Sequence, residues 1–178
     1  MKITLEMLQS KGACSGGMRW VKEFLPDGAE YQDFLDALAA ADKPDWASWL
    51  LSSFGPTVEV KTVTEVAGDT RHIFATGRLV FKCSVFVLGE IEAGRGIIAG
   101  EGIKAGWGIK AGEGIEAGWG IEAGCSITCS LDITATLRIF AGTCTWRLPT
   151  KEELCITCRS VKSGTVAAGI LIHKEGTK

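Results

Sequence analysis

The chain has 178 residues, a formal net charge of −2 at pH 7, 46% apolar residues and 22% charged residues. This balance is typical of a folded globular protein, so it excludes wholesale disorder, and it offers no concentrated basic face for non-specific nucleic-acid binding. No run of 18 apolar residues and no signal-peptide pattern occurs, which predicts a cytoplasmic protein without a membrane span.

The first 56 residues predict a small α-helical domain. Helical spacing of apolar residues covers Thr4 to Lys11, Ser15 to Phe24 and Tyr31 to Leu38. A fourth helix is predicted to begin at Pro44, since proline is favoured in a first helical turn, and to end at Gly55-Pro56. The region therefore resembles a four-helix module placed before the rest of the chain.

A six-residue repeat follows a linker or entry strand at residues 57–72. Aliphatic residues recur at every sixth position without a gap: Ile73, Leu79, Val85, Ile91, Ile97, Ile103, Ile109, Ile115, Ile121, Ile127, Ile133 and Ile139. Two positions after each comes a second set, small in most rungs: Ala75, Phe81, Val87, Ala93, Ala99, Ala105, Ala111, Ala117, Ala123, Cys129, Ala135 and Ala141. Because alternate residues of a strand share a face, each rung supplies one large and one smaller inward side chain.

Glycine is dense in this repeat, with 12 glycines among the 36 residues from Gly89 to Gly124. Collagen is excluded because the G-X-Y period and the proline are missing. The glycines at the fourth and sixth places of the central rungs are predicted to mark corners where the backbone turns sharply. Six-residue rungs that turn at glycine indicate a parallel β-helix, so the predicted fold is α+β, with the β-helix over residues 73–178 and irregular closing strands at its C-terminal end.

The size of one coil stays open between two and three rungs. A twelve-residue coil stacks Trp107 on Trp119, and it also places Glu101 on Glu113, which is unfavourable. An eighteen-residue coil pairs Glu92 with Lys110, Lys104 with Glu122 and Arg95 with Glu113, and the triangular prism of four coils is the preferred reading. Each surface pair is worth only about a few tenths of a kcal/mol, so charge pairing does not decide the matter.

The outward positions of the rungs predict two kinds of surface. The middle position carries charge in the central rungs, at Glu92, Lys104, Lys110, Glu116 and Glu122, and these residues are expected to face water. The same position is apolar at the two ends of the array, at Phe74, Val80, Phe86 and Phe140. We expect the helical domain to cover these apolar residues, and we expect the ends of the solenoid to be capped against strand pairing.

The fifth position of each rung provides the candidate partner-binding residues. It must point outward because unpaired charge inside so narrow a prism would be costly. The candidates are Trp107, Trp119, Arg95, Glu101 and Glu113. Exposed tryptophans are enriched at binding hot spots, and the alternative is that they pack against another segment of the same chain.

The sequence predicts no catalytic, cofactor-binding or metal-binding residue. His72 and His173 are the two histidines, and neither has a neighbouring carboxylate in the sequence or a recognisable substrate loop. Cys155 and Cys158 form a C-x-x-C pair whose intervening residues are typical of a strand rather than of a zinc knuckle, and whether they bind metal is left open. The chain is therefore predicted to be neither an enzyme nor a cofactor carrier.

Several strings resemble a family of small phage and prophage proteins of unassigned function. They are MKITLEMLQSKGACSGGMRW, PDGAEYQDFLDALAAADKPDWASWLL, IEAGWGIEAG and RIFAGTCTW, and the resemblance covers most of the chain. It implies an N-terminal helical module, a variable number of I-x-A-G-x-G rungs and a location in the host cytoplasm. The solenoid pattern also resembles, more coarsely, the self-assembling bactofilins and the hexapeptide-repeat acyltransferases.

These features predict a non-catalytic protein that acts through protein–protein interaction. The resemblance implies a host protein or defence complex as partner, with inhibition of the anti-CRISPR kind as the leading function, and no partner in a membrane or nucleic acid. The alternatives are a bactofilin-like structural scaffold and a relative of the hexapeptide acyltransferases. The identity of the partner, homodimer formation and the choice between the helical module and the β-helix as binding surface stay open.

Overall fold

The computed structural model describes residues 1–174. Its N-terminal region contains the four predicted helices. They are α1 (Leu5–Ser10), α2 (Ser15–Phe24), α3 (Tyr31–Ala40) and α4 (Pro44–Phe54), and a short antiparallel pair, β1 (Lys2–Ile3) and β2 (Ala29–Glu30), accompanies them. The Thr4 hydroxyl caps α1 by accepting from the Met7 N–H at 3.4 Å. Gly55 ends α4 with a φ of 76°, a backbone angle that glycine adopts readily.

A single apolar core holds these helices together and extends into the rest of the chain. Phe34, Leu35, Leu38 and Leu50 are buried in it, together with Phe74 from the first rung of the solenoid repeat. The Tyr31 hydroxyl lies 3.2 and 3.1 Å from the carbonyl oxygens of Leu50 and Gly55. No helix among residues 1–174 combines the length and the apolar character needed to cross a bilayer.

Fifteen further strands form a parallel β-solenoid of about six turns, as the sequence repeat predicts. The strands are β3 (Val60–Val63), β4 (Ile73–Ala75), β5 (Arg78–Phe81), β6 (Val85–Val87), β7 (Ile91–Ala93), β8 (Ile97–Ala99), β9 (Ile103–Ala105), β10 (Ile109–Ala111), β11 (Ile115–Ala117), β12 (Ile121–Ala123), β13 (Ile127–Cys129), β14 (Asp132–Phe140), β15 (Cys155–Cys158), β16 (Ser160–Ala168) and β17 (Ile170–His173).

The strand register gives a coil of eighteen residues. Ile109 of β10 lies opposite Ile91 of β7 on one side and Ile127 of β13 on the other. Three rungs therefore make one turn, and the preferred triangular prism is confirmed. One face contains six strands in the order β4, β7, β10, β13, β15 and β17, so residues 155–173 add turns beyond the four predicted for the repeat itself.

The solenoid core consists of the residues that the repeat predicts. Every residue of the two inward sets is buried, including the one cysteine at a small position, Cys129. Stacking equal side chains turn after turn fills the prism with one large and one small residue per rung. The buried area of these side chains supplies the hydrophobic stabilisation, at about 25 cal/mol per Å² of apolar surface.

Most glycines of the fourth place are required by the close approach of successive turns. A Cβ added to Gly112 would overlap the carbonyl oxygen of Gly94, and a Cβ on Gly124 would overlap that of Gly106. Gly100 is an exception, since a Cβ there would meet open space. Neither Gly112 nor Gly124 has a positive φ, so steric contact between turns excludes a side chain at these two positions.

The outward ion pairs follow the eighteen-residue coil. Lys110 contacts Glu92 at 2.6 Å, Lys104 contacts Glu122 at 3.0 Å, and Arg95 contacts Glu113 at 2.8 Å. One expectation is wrong: Glu92 is buried, because α4 covers it and the Ser48 hydroxyl donates to its carboxylate.

The helical region covers the first turns on one face. Phe74 is fully buried beneath α3, and the Gln32 side chain donates to the Phe74 carbonyl at 2.9 Å and accepts from the Thr76 N–H at 3.0 Å. The Gln32 amide thus makes hydrogen bonds with the backbone groups at the free edge of β4, as a neighbouring strand would. The predicted cover does not reach Phe86, which is 44% exposed on another face.

The C-terminal end corrects the expectation of a second cap. β17 pairs with β15 on one side, and no other strand of the described residues lies against its second edge. Ile170, Leu171 and Ile172 are all exposed. On the face that contains β4 and β17, the solenoid is therefore covered at its first strand, and within residues 1–174 its last strand has an unpaired edge.

Candidate partner-binding surface

The triangular coil distributes the predicted binding residues over three corners. Backbone hydrogen bonds join Arg95 to Glu113 at one corner, Glu101 to Trp119 at the second, and Trp107 to Cys125 at the third. Trp107 and Trp119 consequently lie at different corners and do not stack. Stacking of the two tryptophans would require the twelve-residue coil, which the strand register excludes.

The charged candidates make contacts within the chain. The Arg95 Nε donates to Glu113 at 2.8 Å, and Arg78 lies 3.7 Å from the second carboxylate oxygen of Glu113. The Ser84 hydroxyl donates to Glu101. Arg95, Glu101 and Glu113 therefore help to join successive turns, whatever else they contact.

Trp119 lies in a cluster of apolar side chains on the surface of the solenoid. Its indole is 54% exposed, and it lines a shallow cleft of about 500 Å³ together with Phe86, Leu137 and Phe140. The floor of the cleft contains the Lys104–Glu122 ion pair, and Lys104 also lies over the Phe86 ring at 6.0 Å. We call Phe86, Trp119, Leu137, Phe140 and this ion pair the Trp119 surface.

Part of this surface could have been found in the sequence. The fifth place of the rung continues beyond Cys125 to Leu131 and Leu137, both of which are exposed. Leu137 follows Trp119 by one turn, and its backbone N–H donates to the Trp119 carbonyl at 3.0 Å. The signal in the sequence is an apolar residue at a place of the rung that must face water. It identifies which residues share one surface only when the coil length is known.

Trp107 has a different environment. Its ring makes an edge-to-face contact with the His72 ring at a centroid distance of 5.8 Å, and 39% of the residue is exposed. This contact matches the alternative in which a tryptophan packs against another segment of the chain. The exposed remainder of Trp107 lines a second cleft, away from the Trp119 surface.

His72 corrects the expectation of a solvated histidine without a carboxylate neighbour. It is buried, its Nδ1 accepts from the Glu90 N–H at 3.0 Å, and its Nε2 lies 2.8 Å from the Asp42 carboxylate. An Nδ1 that accepts leaves the proton on Nε2, so His72 donates to Asp42. This hydrogen bond holds the pKa of Asp42 below its usual value. With both ring nitrogens engaged, His72 joins the helical region to the solenoid.

The remaining histidine and the C-x-x-C pair have ordinary surroundings. His173 lies at the exposed end of the chain, with its Nδ1 3.0 Å from the Arg159 carbonyl oxygen. In β15, Cys158 is buried in the solenoid core, whereas Cys155, three positions earlier, lies on the opposite side of the strand. The two thiols therefore do not converge, and within residues 1–174 no cluster of three or more metal-ligating side chains occurs.

Comparison with known proteins matches one part of the chain. Residues 1–54 match the family model of the YdhT N-terminal domain. The match contains all four helices and stops at the last residue of α4, so the whole solenoid lies outside it. No curated protein and no solved structure matches the chain.

Proposed function

We propose that this chain is a non-catalytic binding protein that recognises another protein through the Trp119 surface. The observation that supports the proposal is the grouping of Trp119, Leu137 and Phe86, all exposed, around a shallow cleft. Tryptophan is the side chain most enriched at binding hot spots, and apolar anchors ringed by polar groups are the usual anatomy of an interface.

The scaffold suits this role because backbone hydrogen bonds between turns hold Trp119 in place. Trp119, between β11 and β12, is joined by these hydrogen bonds to Glu101 of the preceding turn and to Thr136 and Leu137 of the next. A preorganised surface loses little conformational entropy on binding. The occupied nitrogens of His72 favour a binding protein over an acyltransferase, since a general base needs a free nitrogen.

A bacterial defence complex is the partner class that we propose to test first, with inhibition as the outcome and the host cytoplasm as the location. This choice comes from the resemblance of the sequence to phage and prophage proteins. It fits a chain with a net charge of −2 and a cleft of mixed charge, which favour a protein over a nucleic acid as the ligand.

The test compares variants of the Trp119 surface with a control variant in the capture of partners. Trp119→Ala and Leu137→Ala should reduce recovery of a specific protein from bacterial lysate about tenfold or more, because a hot-spot residue contributes at least about 2 kcal/mol. Leu131→Ala, an exposed leucine at the same place of its rung as Leu137 but at another corner, is the matched control and should retain capture. Mass spectrometry identifies the partner, and purified partner then gives the dissociation constants. Equal binding by wild type and Trp119→Ala would exclude the surface.

The inhibitory part of the proposal has its own measurement. If the captured partner belongs to a defence nuclease, purified wild-type chain should lower nuclease activity in proportion to complex formation, and Trp119→Ala should not. If saturating wild-type chain left the activity of a captured nuclease unchanged, the proposed binding would stand and the proposed inhibition would be wrong.

A second candidate function is self-assembly, favoured by the open edge of β17. Ile170, Leu171 and Ile172 are exposed on a strand that pairs on one side, and such an edge can accept a strand from a second copy. Sedimentation velocity should then show species that grow with concentration and disappear in Leu171→Lys. Leu148→Lys, a change at an exposed loop residue, is the control. A monomer at all concentrations would exclude this function.

A further inference from the structure

The corner that carries Trp107 forms a second cleft, of about 480 Å³, that the proposed function does not use. One wall is the solenoid corner, with Glu90, Trp107 and Cys125 from successive turns. The other wall is the segment between β14 and β15, which interrupts the repeat and contributes Trp146, Arg147 and Glu153. Two tryptophans and two carboxylates therefore share this cleft.

The second wall is held in place by polar contacts. The Arg147 guanidinium donates to both oxygens of Glu153, at 2.7 and 2.5 Å, and the Thr150 N–H donates to the same carboxylate at 2.8 Å. The Cys144 N–H donates to the Gly124 carbonyl at 3.0 Å, which attaches the segment to the solenoid. The bidentate contact holds the pKa of Glu153 near 2, so Arg147 and Glu153 cancel each other's charge.

Glu90 is the uncompensated charge of the cleft. Its carboxylate makes no hydrogen bond or ion pair with another residue of the described chain, in contrast to Glu153 and to Glu92. Burial, together with the nearby carboxylates of Glu92 and Asp45, raises the pKa of Glu90 to about 7, against an opposing effect of Lys110. Lys110 is itself engaged at 2.6 Å by Glu92. The positive charges near Glu90, Lys110 and Arg147, are thus each paired with another carboxylate.

The aromatic walls suit the same kind of ligand. Trp107 and Trp146 both line the cleft and are 39% and 59% exposed, so part of each indole is accessible to a ligand. A tryptophan face attracts a cation through its quadrupole, and an alkylammonium or guanidinium group combines that attraction with an ion pair to a carboxylate. A neutral ligand such as a sugar could stack on the rings but would leave the Glu90 charge unpaired.

We propose that the cleft lined by Glu90, Trp107 and Trp146 binds an organic cation, an alkylammonium or guanidinium group. The carboxylate of Glu90 pairs with the positive charge, and the two indoles contact its apolar surface. The cation can belong to a free amine or to a lysine or arginine side chain of a protein, since the recognised chemistry is the same.

The experiment follows the tryptophan indole N–H signals by NMR at about pH 8, where Glu90 is ionised. The probes are choline as a free amine and a capped Gly-Arg-Gly peptide as a basic side chain, each compared with sodium chloride at equal ionic strength. The signals of Trp107 and Trp146, assigned with Trp107→Phe and Trp146→Phe, should shift saturably with at least one probe. The probe that binds more tightly identifies the source of the cation.

Matched variants separate this site from general charge effects. Glu90→Gln should weaken binding about tenfold or more, because it removes the charge and keeps the shape. Glu116→Gln, a change at an exposed carboxylate on another face, should bind as the wild type does. Trp146→Ala, at an exposed loop position, should weaken binding without affecting the solenoid.

Three results would overturn the proposal. They are the absence of saturable shifts at Trp107 and Trp146 with either probe, equal affinity in Glu90→Gln, and equal binding of 3,3-dimethylbutan-1-ol, the neutral isostere of choline. None of these results depends on the Trp119 surface, so the cleft and the proposed function can fail separately.

Discussion

The two ends of the solenoid are finished in different ways. At the first turns, α3 lies over Phe74, and the Gln32 amide occupies the hydrogen-bonding groups at the edge of β4. At the last turn, β17 keeps an edge without a partner strand in the described chain, and its apolar side chains are exposed. On this face, the described solenoid therefore begins under a helical cover and ends at an unpaired strand edge.

This difference separates two requirements of a parallel β-solenoid. The repeat supplies a core for every turn by itself, but it cannot satisfy the backbone groups of a terminal strand. The N-terminal helices meet that requirement at one end with contacts that do not follow the six-residue period. We therefore expect contacts at the covered end to contribute most to the free energy of unfolding. Four measurements test this expectation.

The largest effect is expected where the helices meet the solenoid. Phe74→Ala should lower the free energy of unfolding by about 3–5 kcal/mol, because it leaves a cavity between α3 and β4. Phe86→Ala is the matched control, since Phe86 has the same place in its rung and is 44% exposed, and it should cost less than about 1 kcal/mol. Urea unfolding measures both. Similar losses would show that the helical cover does not stabilise the first turns.

The interior of the solenoid should respond to a single methyl group. Gly112→Ala should lower the free energy of unfolding by about 1–3 kcal/mol, because the new Cβ overlaps the Gly94 carbonyl of the preceding turn. Gly100→Ala occupies the same place of another rung, where the Cβ meets open space, and should leave stability unchanged or raise it by up to about 1 kcal/mol. Thermal unfolding distinguishes the two, and an equal loss in both would contradict contact between turns as the cause.

The edge of β4 should show a smaller effect. Gln32→Ala should cost about 1–2 kcal/mol, because it leaves the Thr76 N–H without its side-chain partner, whereas the Phe74 carbonyl still accepts from Lys61 at 3.1 Å. Gln9→Ala, on the exposed side of α1, should change stability by less than about 0.5 kcal/mol. Hydrogen exchange at Thr76 should also become faster in Gln32→Ala alone. Unchanged exchange would mean that another group protects this edge.

The smallest predicted effect is a pH dependence near the covered face. The pKa of Glu90 rises from 4.5 to about 7 on folding, so the folded chain holds a proton that the unfolded chain has lost. The free energy of unfolding should therefore fall between about pH 4.5 and 7, by on the order of 1 kcal/mol once solvent screening is considered. Urea unfolding across this range should show the fall in wild type and not in Glu90→Gln. An identical profile in both would assign the dependence to other groups.

Much of the fold follows from the sequence because both of its parts carry local signals. Cap residues such as Thr4 and Pro44 define helix ends, and the six-residue spacing identifies the inward side chains. The coil length did not follow, because surface ion pairs such as Arg95–Glu113 are too weak to exclude the alternative register. It is the register of Ile91, Ile109 and Ile127 that decides it.

The sites depend on contacts that no period encodes. His72 and Asp42 are 30 residues apart and meet only because the helices fold back onto the first turns. Glu92 shares its place in the rung with exposed charged residues, and its burial depends on where α4 lies. The exposure of Trp119 was predictable from the sequence. Its proximity to Phe86 and Leu137 could be derived only once the eighteen-residue coil was known.

The eighteen-residue coil also limits how such a chain can change length. Each added or removed rung shifts every later residue by one third of a turn around the prism. A six-residue insertion between Glu92 and Trp119 would therefore move Trp119 to a different corner relative to α3 and α4, while the core would remain filled. Only steps of three rungs preserve that orientation. Repeat number thus sets the angle between the helical region and the Trp119 surface as well as the distance between them.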